Sequence, residues 1–225
     1  MDRSDCFLSS YQPNREKLNT LPFSLSMVQG TVTRNEYQFF LGQMFYVHRI
    51  VELELQRFPE LEVIYDCNKD RTEHLLMDLC ALGAKKIDTP NGQVHEIVRF
   101  VQVLSEEDPW NLLSVLYVSE ALRPDSLDAV KPLSAALNVD LRPNSGLDYH
   151  LTGIATRTKS RQKFQKTIDL LPLSQSQTER NSQAIAELMQ LLCELYVTFG
   201  VEFQGTPLFP VPNSDAPVTG VSVRS

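Results

Sequence analysis

The stripe that opens at Thr33 constrains this chain more than any other feature. Thr33-Arg34-Asn35-Glu36 has the residues of a capping box, in which each end satisfies a free N–H of the other. Behind it Tyr37, Phe40, Leu41, Met44, Val47, His48 and Val51 recur at three- and four-residue spacing. They share one side of a long helix that ends before Pro59. An apolar face of that length needs other helices to cover it, and the rest of the chain supplies them.

A first helix is predicted from Pro13 to Gly30. Another runs from near Asp70 to Gly83, with Leu75, Leu76, Leu79 and Leu82 on its apolar face, and a fourth spans 92–104 with Val94, Ile97, Val98 and Val101. Asp108-Pro109 is an N-cap followed by proline at N1. It starts a helix carrying Leu112, Val115, Leu116 and Ser119 that Pro124 stops. A shorter helix over 126–138 is kinked or broken at Pro132. Residues 142–146 form a loop, and helix returns over 147–171 with an interruption near Gly153. Ser176-Gln177-Thr178-Glu179 reads as a second capping box, opening a last helix with Ile185, Leu188, Leu192, Leu195, Tyr196 and Phe199 that ends on Gly200. No run alternates with period two, so no strand is expected. The prediction is an all-α fold: one domain of about seven or eight helices over 1–203, then a Pro-rich extended or disordered tail over 204–225.

At 225 residues the chain is long enough for one substantial core. Its net charge of −7 argues against general affinity for nucleic acid, which needs clustered Lys and Arg. No stretch reaches the ~20 apolar residues of a membrane span. The first residues, MDRSDCFLSSYQPN, lack the apolar run of a signal peptide. Cys6, Cys67, Cys80 and Cys193 form no C-x-x-C pair and read as reduced thiols. A cytoplasmic location is expected.

Little local chemistry stands out. The histidines are His48, His74, His95 and His150; no Glu-x-x-His spacing, zinc motif, nucleophile signature or Gly-rich phosphate loop occurs. No metal site is expected, with His48 the one weak candidate. His48 sits on the apolar stripe. It is either a hydrogen-bonded core residue or a pocket residue facing Glu52 four positions on. The segment RTKSRQKFQK gathers Arg157, Lys159, Arg161, Lys163 and Lys166 without an acidic residue. It is either an anion site or a solvated helix face.

The order of elements resembles the heme oxygenases over most of residues 10–200. GTVTRNEYQFFLGQMFYVHRIVELE is similar to their Gly-x-hydrophobic-Thr turn and the long helix behind it. RTEHLLMDLCALG resembles their Arg…Leu…Asp-Leu segment, and LLSVLYVSEAL their Tyr-Val-Leu-Glu-Gly stretch. GIATRTKSRQKFQKTIDLL resembles the helix that supplies basic residues to the heme propionates.

That resemblance implies heme as cofactor and substrate, electrons from a ferredoxin or reductase, and biliverdin, carbon monoxide and iron as products. It also implies a site built from Arg15, His48, Glu52, Tyr117, Ala121, Leu122, Lys159 and Arg161. Two departures stand against ordinary turnover. In the family the first helix supplies the histidine that ligates iron; counting back from Gly30 and Phe23, the matching position is Arg15, and no histidine lies within thirty residues of it. A guanidinium stays protonated and has no lone pair to give iron. Glycines that let a kinked helix approach heme are expected near Ala121, Leu122 and Asp125, where side chains occupy that space. The expectation is a divergent heme-oxygenase-like protein with an altered tetrapyrrole or small-ligand pocket. Active oxygenation with unusual ligation, for instance by His48, and a non-enzymatic interaction protein on the same fold stay open beside it, with a di-iron oxidase a distant fourth.

Overall fold

A computed structural model describes residues 2–61, 64 and 71–201; the tail at 204–225, Asp70 and Cys67 lie outside them. The described residues are helical, with no strand among them. The α-helices are α1 (Arg3–Asn19), α2 (Pro22–Gln29), α3 (Arg34–Gln56), α4 (Arg71–Ala81) and α5 (Gly92–Glu107), followed by α6 (Leu112–Ala121), α7 (Lys131–Leu137), α8 (Asp148–Leu151), α9 (Arg157–Leu170) and α10 (Gln175–Val201). Eight of these run for eight residues or more; α7 and α8 are shorter. No helix among the described residues is long and apolar enough to cross a membrane.

Helix α10 is the spine, packed against α1, α2, α5 and α6, while α3 lies on α4 and α5. The α3 stripe is buried throughout, His48 included, and its capping box forms: Thr33 N–H donates to the Glu36 carboxylate at 2.7 Å, and Glu36 N–H to Thr33 Oγ1 at 3.3 Å. Phe40 meets Phe23, Tyr196 and Phe199 in an aromatic cluster between α2, α3 and α10. Each such side chain stabilises the fold by roughly 1.5–3 kcal/mol on burial.

Several boundaries differ from the sequence reading. The helix expected from Pro13 to Gly30 is two helices. Leu21, held extended by the ring of Pro22, separates them, because a residue before proline is pushed out of the α region. Pro13 lies inside α1, which begins ten residues earlier at Arg3. The proline is tolerated because it and Ser9, whose carbonyl loses its helical donor, both face solvent. The start of α1 is held from afar: Ser4 N–H donates to the Asp169 carboxylate at 2.9 Å, and Arg3 to the Asp169 and Leu173 carbonyls. Gly30 closes α2 at φ +69°, and a Cβ there would meet the Pro132 carbonyl oxygen at 2.8 Å.

On α4, Leu75 and Leu79 are buried but Leu76 is exposed. Helix α5 continues past 104 to Glu107. Asp108 caps a single 3-10 turn, accepting from Trp110 N–H, before α6 begins, and α6 ends at Ala121 rather than at Pro124. Pro132 sits in the first turn of α7, where its missing N–H costs nothing, so α7 is short rather than kinked. Gly153, at φ +71°, separates α8 from α9. The second capping box lies two residues upstream of its expected place: Gln177 N–H donates to Ser174 Oγ at 3.1 Å, and Ser174 N–H to Gln177 Oε1 at 2.9 Å.

Candidate functional site

A cleft runs between α1 and the non-helical bend that follows α6. It has two chambers. The outer one, about 460 Å³, is bounded by Tyr11 and Arg15 of α1, Tyr117 and Ala121 of α6, and Arg161 and Phe164 of α9. The inner one, about 200 Å³, lies toward α2, α3 and α7, among Leu18, Phe40, Met44, Leu122, Leu133 and Tyr196. Arg15, Arg123, Pro124 and Ala129 border both.

Arg15 is half-buried at this junction and makes no hydrogen bond or ion pair among the described residues. Its charge is felt by the Tyr11 and Tyr196 phenols, partly offsetting the upward push that burial gives both. Tyr11 donates its hydroxyl to the Ala121 carbonyl at 3.1 Å and packs edge-on against Tyr117. Burial pushes Tyr117 up to about 12, so this wall of the outer chamber stays protonated.

The bend itself is held by arginines. Glu120, fully buried, accepts from Arg71 at 3.3 Å and Arg123 at 3.2 Å. Arg157, 1% exposed, donates to the carbonyls of Pro124, His150 and Thr152. Arg161 donates to the carbonyls of Glu120 and Arg123 and pairs with Asp125 at 2.6 Å. Burial, with Arg123 nearby, lowers Arg71 and Arg157 to about 10, and both remain charged at neutral pH. Four guanidiniums thus pack around Glu120 and Asp125.

The expected site residues separate into groups. Arg15, Tyr117, Ala121, Leu122 and Arg161 all border the cleft. Lys159, Lys163 and Lys166 are exposed on the far side of α9 and border neither chamber. Arg157 is buried behind the cleft wall. Glu52 accepts Thr72 N–H at 2.9 Å, at the start of α4, and bonds neither His48 nor Arg15. His48 borders neither chamber. It lines a separate void of about 20 Å³, room for one water at most, and its Nε2 hydrogen-bonds the Tyr149 hydroxyl at 2.9 Å. Burial, with Arg71 and Arg123 nearby, holds its imidazole neutral, well below the ordinary value.

Sequence reasoning missed Arg71, Glu120, Arg123, Tyr149 and His150. Glu120 and Arg123, three apart in SEALR, were the one local hint. Tyr149 bridges His48 and Arg71 and borders the inner chamber. His150 borders the same chamber, stacked on Tyr37, and burial with Arg157 and Arg123 nearby lowers it to about 3.

No group of three or more His, Cys, Asp or Glu among the described residues could hold a metal ion. The donors also do not fit an iron ligated from the first helix. Helix α1 turns a guanidinium to the cleft, and His48 is engaged elsewhere.

The heme oxygenase family pattern matches residues 14–191, and the chain belongs to that family. A curated heme oxygenase from Guillardia theta is 26% identical over 174 residues, covering 73% of this chain and 71% of that one. The structure of heme oxygenase from Leptospira interrogans superposes with a TM-score of 0.77 at 18% identity, over 88% of this chain and 100% of that one. Heme oxygenase-2 from Synechocystis, solved with heme and NO, gives 0.80 at 15% identity over 90% and 86%. At such identities these structures share the fold.

Proposed function

We propose that this chain is a divergent heme oxygenase relative whose cleft holds a tetrapyrrole or a smaller anion through acid groups, without histidine ligation, and does not run conventional heme oxygenation. One observation carries this reading. At the place where the resemblance expects an iron ligand, Arg15 brings an unneutralised positive charge to the junction of both chambers. Such a group recognises carboxylates through paired N–H donors and gives iron nothing to bind.

The test is a titration of the purified protein with hemin and with biliverdin, read by visible absorption. A saturable spectral change is expected with at least one of them, weakened about tenfold or more in Arg15→Gln, the loss of one charged hydrogen bond. Neither ascorbate nor reduced ferredoxin should convert bound hemin to biliverdin. Biliverdin formation by the wild-type protein would refute the loss of turnover. No saturable change with either compound would refute tetrapyrrole binding.

A further inference from the structure

The two chambers differ in chemistry as well as in size. The charged groups bordering the outer chamber are Arg15, Arg123, Arg161, Glu120 and Asp125, three cations against two carboxylates. Arg123 and Arg161 are already paired with those carboxylates. Arg15 is the cation on this border that has no carboxylate of its own among the described residues, and one carboxylate satisfies it.

The inner chamber is mostly apolar, walled by Leu18, Met27, Phe40, Met44, Leu122 and Leu133. At about 200 Å³ it exceeds the ~150 Å³ apolar cavity known to admit benzene. It is smaller than the roughly 300–1,000 Å³ of sites that enclose a whole drug-sized molecule. Of its polar neighbours, Arg123 is paired with Glu120, the Tyr149 hydroxyl is bonded to His48, and burial holds His150 neutral. Ring-sized apolar space therefore adjoins the Arg15 guanidinium, which has no partner among the described residues, with Ala129 and Pro124 bordering both chambers.

We infer that the cleft takes an amphiphilic monocarboxylate. Its carboxylate pairs with Arg15 at the junction, and its apolar group, about the size of one aromatic ring, fills the inner chamber. This rests on the reading of the cleft as a ligand site and names a smaller ligand class for it. Burial of the apolar group supplies affinity, and the charge-assisted bonds from Arg15 supply the preference for an acid.

The experiment uses 4-phenylbutyrate and its neutral analogue 4-phenylbutanol, titrated into the full chain by calorimetry. The acid should bind saturably and at least tenfold more tightly than the alcohol. Arg15→Gln should erase that preference while leaving the alcohol's affinity unchanged. Ala129→Trp, at an exposed position that borders both chambers, should block both compounds without altering the thermal unfolding midpoint. Equal binding of acid and alcohol, no binding of the acid, or an acid preference that survives Arg15→Gln would each overturn the inference. Tetrapyrrole binding without phenylbutyrate binding overturns this inference and leaves the proposed function standing. The reverse pattern overturns the tetrapyrrole reading and leaves this one.

Discussion

Asp78 allows a sharp test of which force governs a buried carboxyl. It is fully buried on α4 and accepts the N–H groups of Asp148 at 2.7 Å and Tyr149 at 2.9 Å, at the start of α8. Those two bonds favour the charged form, whereas burial disfavours it, as does the charge of Asp148. Burial prevails and raises the carboxyl from 3.8 to about 7. An acid whose pKa is higher in the folded than in the unfolded chain holds its proton more tightly when folded. Its stabilising contribution is complete below the unfolded value of 3.8 and is lost as pH rises to about 7. At about 1.4 kcal/mol per pH unit the window holds at most about 4 kcal/mol. Urea unfolding of wild type and Asp78→Asn from about pH 4 to about pH 8 reads this directly. Wild-type stability minus that of the variant should fall by up to this amount across the window. A difference that stays flat, or that grows as pH rises, would show that the two N–H bonds outweigh burial.

Glu120→Gln removes the carboxylate charge that faces the buried Arg71 and the partly buried Arg123. It should cost about 3–5 kcal/mol, measured by chemical denaturation. Ser174→Ala removes the hydroxyl that caps α10 and should cost about 1 kcal/mol. Ser176→Ala in the same exposed turn should stay within about 0.5 kcal/mol.

What the sequence made legible follows physical range. The α3 stripe and its capping box are local patterns, and both appear as read. The start of α1 was invisible because its cap is Asp169, which lies 165 residues from Ser4. Pro13 looked like a helix start because proline favours that position, and nothing in the sequence tells an interior proline on a wet face from an N1 proline. The capping box of α10 was misplaced because SQSQTE offers two overlapping Ser-x-x-Gln/Glu registers, and only packing chooses between them. In the cleft, Arg15 is singled out by its position in the sequence, and the structure sets it on the border of both chambers. The cluster of Arg71, Glu120, Arg123 and Arg157 was not legible, because it draws single residues from separate elements and has no period. The basic run on α9 divides by helical phase: Arg157 and Arg161 turn inward, and the lysines face water.

Arg157 never meets the cleft, yet its three bonds fix Pro124, which borders both chambers, and the backbone at His150, which borders the inner one. The outline of the cavity is thus written one layer behind its surface. A lining side chain can be replaced without touching those three bonds. A single change at Arg157 would recast the mould with every lining side chain intact, so comparing wall residues alone would miss the position where shape is inherited.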